Sequence, residues 1–395
     1  MSLKIPRGFK FSAVEAAIKR PGRKDLALIY SDVDATAAAT FTKNLIKAAP
    51  IKITMKKITS QRARAIVINS GNANACTGKR GIEDANEIVR LVSKGLNINE
   101  RLVYPASTGV IGVPMPMERI RAAIPDLIGG LGKASLEELA RAIMTTDTFP
   151  KYISADLKVG DETGTIAAVA KGAGMINPSM ATILCFIITD ISVEKLSLSK
   201  ALNEAVEQSF NRITVDGARS TNDMVMIMAN SLAGNDTITM KSKYYKDFKK
   251  LLNSLTYELS KSIVKDGEGA TKLIKVIVKR APSRKDAELV ARSVANSLLV
   301  KTALYGNDAN WGRIMAAIGA SGAKVEEEKI DIYFNHLQVV KGGISAGNDS
   351  TANELLKASK ELNLIIDLTS GKEEFSVLTC DISEDYVRIN AEYRS

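Results

Sequence analysis

Short β-rich runs recur along this chain without a regular alternation with helices, and that pattern limits the folds open to it. The runs are "LALIYS" at 26–31, "RAIVINS" at 64–70, "TIAAVA" at 165–170, "TILCFIIT" at 182–189, "DMVMIMAN" at 223–230, "KLIKVIVK" at 272–279, "KIDIYFN" at 329–335, "LNLIIDL" at 362–368 and "FSVLTCD" at 375–381. Helical periodicity predicts helices over 82–94, 198–210, 245–264 and 284–300, with the clearest apolar stripe at Phe248, Leu251, Leu252, Leu255 and Leu259. Another helix starts at Ser135, where Glu138 completes a capping box. Strands and helices mixed in this way, without a repeat, read as an α+β or layered α/β fold with helices packed on β-sheets. A chain of 395 residues is long enough for two or three domains. No linker rich in Pro, Gly and Ser divides the halves, so the strand starting at Thr182 belongs inside a compact fold.

Composition narrows the chemistry. Apolar residues at 45% and charged residues at 25% suit an ordinary globular protein. The net charge of +10 comes from scattered lysines and arginines, and aromatic residues make up only 5%, so a base-stacking nucleic-acid surface is not expected. A positive field of this kind favours small anionic substrates instead. The longest apolar run, about Met180 to Thr189, is far short of the ~20 residues of a membrane span. Cys76, Cys185 and Cys380 lack metal-ligand spacing, and the N-terminus lacks a secretory pattern, which together predict a reduced, cytoplasmic protein without a metal site. The one histidine, His336, lies in an alternating strand run away from Gly-rich or acidic motifs and reads as structural. An enzyme built on this chain must therefore find its base elsewhere.

The stretch "KGAGMINPSMATILCFIITD" at 171–190 offers one. Thr182 at the mouth of an apolar strand has two readings. It is either a β-branched residue in a suitable place, or a nucleophile freed by chain cleavage. In the second reading its hydroxyl attacks the Ala181 carbonyl, water hydrolyses the resulting ester, and the released α-amine becomes the base that histidine would otherwise supply. Gly172, Gly174 and Pro178 provide the bend that such an attack requires. Acyl chemistry also needs donors for an oxyanion, and the Gly-containing loop "YPASTGVIGVPMP" at 104–116 is one place to look, although on spacing alone any such turn looks similar.

"KGAGMINPSMATIL" resembles the self-cleavage motif of the ornithine acetyltransferase (glutamate N-acetyltransferase) family of arginine biosynthesis. "SGNANACTG" at 70–78, "PASTGVIGVPMP" at 105–116, "TTDTFPK" at 145–151, "SFNRITVDG" at 209–217, "STNDM" at 220–224, "DGEGATK" at 266–272, "ALYGNDANWGRI" at 303–314 and "INAEYRS" at 389–395 also look like segments of that family, in the same order. The resemblance covers nearly the whole chain. It implies an N-terminal-nucleophile-like acetyltransferase fold and cleavage between Ala181 and Thr182. The products would be an α chain, 1–181, and a β chain, 182–395, intertwined in one enzyme and paired as an α2β2 heterotetramer.

On the same resemblance Thr182 is the acetyl carrier, Thr108 and Gly109 form the oxyanion hole, and Thr146, Lys171, Thr182, Glu268, Asn390 and Ser395 contact substrate. The implied reaction moves acetyl from N2-acetyl-L-ornithine to L-glutamate in two half-reactions, without a metal or redox cofactor. Acetyl-CoA is a further donor that some members use. Asn390 and Ser395 lie where a chain would ordinarily fray. Ala218 and Arg219 stand where the family pattern has Asp and Thr, which matters only if that loop borders the pocket. A related self-processing aminopeptidase or amidohydrolase, with water as acceptor, is the alternative reaction.

Overall fold

A computed structural model describes residues 3–177 and 183–392 of the chain, which falls into two compact units. The first contains Met1–Ala173, Ser179–Asn211 and Arg219–Ile263; the second contains Gly174–Pro178, Arg212–Ala218 and Val264–Ser395. The chain therefore does not divide into compact units at residue 181.

The first unit is built on β1 (Phe9–Val14), β2 (Leu26–Phe41), β3 (Arg62–Asn69), β4 (Val103–Ser107), β5 (Lys151–Val159), β6 (Glu162–Lys171), β7 (Leu184–Thr189) and β8 (Met224–Ala229). They form one sheet in the order β4-β3-β2-β8-β7-β6-β5, with β1 also paired to β2. The two most apolar runs of the sequence take its middle. β7 and β8 lie parallel, Leu184 opposite Met224, and every residue of both is buried. Side chains alternate across the sheet as a period of two demands. Ala27, Ile29, Ile66 and Ile68 enter one core, whereas Leu26, Leu28, Ala65 and Val67 enter the other.

Helices cover both faces, and the apolar stripes of the sequence decide which. The first face packs against α1 (Ala49–Lys57) and α4 (Leu136–Ala142), through Ile51, Leu136, Leu139 and Ala140. The second packs against α2 (Gly78–Leu96) and α3 (Met117–Gly129), through Ile88, Val89, Val92, Ile120 and Leu127. Each fully buried Ile, Leu or Val stabilises by roughly 1.5–3 kcal/mol. α5 (Lys195–Gln208) and α6 (Tyr245–Lys265) complete the helices that begin in this unit.

The second unit has β9 (Leu273–Ala281), β10 (Asp331–Phe334), β11 (Leu337–Lys341), β12 (Ile344–Ser345), β13 (Glu361–Asp367) and β14 (Glu373–Cys380), in the sheet order β12-β11-β10-β13-β9-β14. Against it pack α7 (Arg284–Asn296), α8 (Leu298–Tyr305), α9 (Trp311–Gly319) and α10 (Asp349–Ala358), which share one core with the strands. α11 (Glu384–Ala391) closes the described chain.

Three local readings of the sequence need correction. The helix predicted over 284–300 is two helices, because Ser297 is extended and its hydroxyl accepts the Val300 N–H at 3.4 Å, starting a new helix. Tyr104–Ser107 is strand rather than loop; Pro105 is tolerated because β4 lies at the sheet edge, where a missing N–H costs no ladder bond. His336 sits exposed in the two-residue turn between β10 and β11, not on a strand.

Candidate active site

β4 runs parallel beside β3, with Ser107 opposite Asn69, so the chain leaving β4 emerges next to the turn that follows β3. Four backbone bonds tie the two turns together: Thr108 N–H to Asn69 O (2.9 Å), Val110 N–H to Gly71 O (3.3 Å), Ala73 N–H to Val110 O (2.9 Å) and Gly112 N–H to Ala75 O (3.0 Å). Gly109 fits between them only as glycine. It has φ +136°, and a Cβ there would stand 2.3 Å from the Gly71 carbonyl carbon and 2.4 Å from Asn72 N. Asparagines brace the turn: Asn69 donates to Asn72 O (2.8 Å), and Asn222 donates to Ala73 O (2.7 Å) and Ser107 O (2.8 Å). The Thr108 N–H is therefore spent on the scaffold. Among the described residues, the Gly109 N–H donates to none.

Lys171, the last residue of β6, reaches this turn. Its Nζ donates to Thr145 Oγ1 at 2.7 Å and to Thr108 Oγ1 at 3.4 Å, and lies 4.0 Å from Asp147 Oδ2. Asp147 is an ionic hub whose side chain has no exposed surface. It accepts from Lys151 Nζ (2.7 Å), Gly172 N–H (2.8 Å) and Thr145 N–H (3.1 Å). Burial works to raise its pKa, but the charges of Lys171 and Lys151 and these donors outweigh burial and hold the carboxyl at about 2. A pocket of about 410 Å³ opens onto Thr145 and Asp147 from a rim of Arg23, Lys24 and Arg141.

Asp223 precedes β8, fully buried. Its Oδ1 accepts the Ile183 N–H at 3.2 Å, while the Ile183 carbonyl accepts the Met224 N–H at 2.9 Å. Burial pushes the Asp223 carboxyl well above the usual range, against the hydroxyls of Thr42 and Ser220, the Ile183 N–H and the charge of Lys171.

In the second unit, Glu268 is buried and its Oε2 accepts Asn390 Nδ2 at 2.8 Å. Gly174 packs directly against this carboxylate: a Cβ there would stand 2.3 Å from that oxygen, so the Glu268 side chain would have to shift. Asp216 holds the backbone ahead of residue 178, taking the Met175 N–H at 2.6 Å and the Ile176 N–H at 2.9 Å. Burial first, then the carboxylates of Asp216 and Glu268, push the neighbouring Tyr386 phenol up.

The profile of the ArgJ family matches residues 10–395. An arginine biosynthesis bifunctional protein ArgJ of Geobacter sulfurreducens is 52% identical over 390 residues, 98% of this chain and 99% of that one. The chain belongs to the ArgJ family. A second ArgJ relative, from Symbiobacterium thermophilum, is 46% identical over 392 residues, covering 99% of this chain and 98% of its own. A crystal structure of the ArgJ bifunctional protein of Bacillus halodurans aligns with a TM-score of 0.51 and 43% identity, over 52% of this chain and 97% of that chain.

For a member of the ArgJ family, the sequence reading finds its residues in two groups. Thr108, Gly109 and Lys171 meet in the first unit, with Thr146 half-buried next to Thr145. Glu268 and Asn390 meet in the second. Ala181, Thr182 and Ser395 lie outside the described residues. Ala218 and Arg219 are exposed. Asn390 is not frayed, because it lies within α11 and also donates to Tyr386 O at 3.0 Å. Sequence reasoning passes over Thr145, Asp147, Asn222 and Asp223. For Asp223 a signal exists: an acid directly before a strand with no polar residue has nowhere solvated to go.

Proposed function

We propose that this chain is a glutamate N-acetyltransferase of arginine biosynthesis that carries acetyl from N2-acetyl-L-ornithine to L-glutamate on Thr182, after cutting itself between Ala181 and Thr182. One observation carries the reading: in a chain that matches the ArgJ family from residue 10 to its end, the buried Lys171 ammonium at the end of β6 meets the buried Thr108 hydroxyl, in the turn where Gly109 follows. The length of the solved Bacillus halodurans chain supports the cleavage. About half of this chain, 52%, aligns with nearly all of that one, and residues 182–395 would make up about 54% (214 of 395).

Each group has work suited to its geometry. The free α-amine of Thr182 takes the hydroxyl proton as Oγ attacks the acetyl carbonyl. Negative charge then develops on the carbonyl oxygen, and the Gly109 N–H is available to it. Because Lys171 donates to Thr108 Oγ1, the hydroxyl is left to direct its own proton at that oxyanion. The C–N bond breaks, the ammonium returns its proton to the leaving amine, and L-ornithine departs. L-glutamate attacks acetyl-Thr182 by the reverse sequence. Every proton and electron pair balances without a metal or redox cofactor. Thr146, Lys171, Glu268, Asn390 and Ser395 bind substrate carboxylate and amino groups. The chains 1–181 and 182–395 stay together as an α2β2 assembly that works in the cytoplasm. The relatives' designation as bifunctional favours acetyl-CoA as a second acetyl donor.

The test is an assay of purified enzyme with N2-acetyl-L-ornithine, with and without L-glutamate. N-acetylglutamate formed in step with released ornithine supports transfer; ornithine and acetate released equally fast without glutamate would mean a hydrolase. Acetyl-CoA with glutamate alone tests the second donor.

A further inference from the structure

The segment leading into β2 carries positive charge that its surroundings do not balance. Lys19, Arg20 and Arg23 follow one another closely, in a loop held by hydrogen bonds. Asp25 accepts the Ala16 N–H at 2.7 Å on one oxygen and the Ile18 N–H at 2.6 Å on the other, while Glu15 accepts the Gly22 N–H at 2.8 Å. Lys19 packs on the turn after β3, since a Cβ on Gly71 would stand 3.0 Å from the Lys19 Cβ. The carboxylates of Glu15, Asp25 and Asp147 are therefore committed to other donors.

Arg23 is half-buried on the wall of the 410 Å³ pocket. Its Nη2 donates to Met144 O and, at 3.3 Å, to Ser70 Oγ, which fixes the guanidinium plane. Among the described residues its Nε and Nη1 donate to none, and neither Arg20 nor Arg23 has an ion-pair partner. The other two cations of the pocket are already balanced: Lys24 pairs with Glu138 at 2.8 Å and Arg141 with Glu137 at 2.6 Å. Burial lowers the Arg23 pKa; Asp25 and Asp147 oppose it, and the charge of Arg20 adds to it. Burial and both arginines lower Lys19 in the same way. A bound anion would relieve this mutual repulsion.

We propose that Arg23, with Arg20 and Lys19 beside it, binds the phosphates of a CoA thioester. Three clustered cations exceed what a single carboxylate needs, whereas CoA carries a diphosphate and a further phosphate, and a guanidinium fork matches such oxygens two at a time. The acetyl end of the thioester is neutral, so its phosphates are where charge can hold it. The same pocket is lined by Thr145, whose hydroxyl accepts from Lys171, the lysine that also donates to Thr108. N2-acetyl-L-ornithine has no phosphate and does not need this arginine. The inference rests on the reading that acetyl-CoA is a second acetyl donor.

The experiment compares wild type, Arg23→Gln and Arg20→Gln with L-glutamate as acceptor and three donors: acetyl-CoA, S-acetyl-N-acetylcysteamine, which is a thioester without phosphate, and N2-acetyl-L-ornithine. Calorimetric titration with CoA alone accompanies the assays. Arg23→Gln should raise KM for acetyl-CoA roughly 10- to 100-fold and weaken CoA binding equally, leaving the other two donors unchanged. Arg20→Gln, at an exposed position, should shift the same two quantities by less, and decides the matter if the Arg23 variant fails to fold. A loss shared by all three donors would make Arg23 only a brace for Met144 and overturn the inference. So would a raised KM for L-glutamate with acetyl-CoA unaffected, which would place the acceptor's carboxylate there, or a wild type that does not bind CoA. A wild type that binds CoA more tightly than both variants, yet transfers nothing from acetyl-CoA, supports the site and removes the second-donor reading beneath it.

Discussion

Lys171 and Thr108 stand 63 residues apart in sequence, and the Lys171 ammonium donates to the Thr108 hydroxyl at 3.4 Å. The contact joins the end of β6 to the turn after β4, strands at opposite sides of the sheet order, through side chains that are both buried. It assigns the Thr108 hydroxyl a direction, because an oxygen that receives an ammonium proton on one side keeps its own proton for another acceptor. Thr108→Val preserves the shape and removes that donor. The account predicts a kcat lower by roughly 10²–10³-fold with KM little changed, read from steady-state acetyl transfer. A raised KM with kcat intact would instead make Thr108 a ground-state contact.

Gly109→Ala should fail for a second reason as well. The added carbon would press into the Gly71–Asn72 peptide, where no flexible side chain can yield, at a φ of +136°. The expected outcome is a lower melting temperature together with lost activity. An alanine variant as stable and as active as wild type would mean that the turn is looser than its hydrogen bonds indicate.

Asp147 links the site to stability. Its carboxyl is held at about 2, below the ordinary 3.8, so the folded state binds that proton more weakly than the unfolded chain does. The resulting stabilisation is complete above the ordinary value and disappears as pH falls towards 2. Asp147→Asn leaves the Lys151 and Lys171 charges without their shared carboxylate and should cost about 3–5 kcal/mol near pH 7. Urea unfolding at about pH 7 and about pH 3 checks this, since the gap between wild type and variant should narrow at the lower pH. A gap that stays constant would mean that the charge of Asp147 contributes nothing.

Glu268→Gln keeps the bulk of the side chain and replaces its charge. If Glu268 binds a substrate ammonium, KM should rise by roughly tenfold or more, about 1.4 kcal/mol of binding. Asn390→Ala should raise KM in the same direction, because Asn390 fixes the carboxylate at 2.8 Å. Unchanged KM values in both variants would remove this pair from substrate binding.

Where pattern dictates structure, the chain is legible. The largely apolar runs at 182–189 and 223–230 predict the two central strands, and Ser135 with Glu138 forms the capping box that its spacing announces. What the sequence hides depends on pairing between distant segments. Nothing local says that Pro105 lies on an edge strand, or that Asp147 gathers Lys151 and Lys171 while Asn222 braces Ser107. On spacing alone Thr108 and Gly109 read only as part of a Gly-containing turn, and family resemblance is what implies their roles. The geometry adds that the Thr108 N–H is already committed to Asn69, which leaves the hydroxyl and the next N–H as donors.

The most direct test of the central claim is the denatured mass of the purified enzyme, before and after incubation with N2-acetyl-L-ornithine in the absence of glutamate. The account predicts two chains, one ending at Ala181 and one beginning at Thr182. The second should gain the mass of a single acetyl group that L-glutamate then removes, and Thr182→Ala should remain one unmodified chain. A wild type that transfers acetyl as a single uncut chain, or an acetyl group found on any residue other than Thr182, would contradict it.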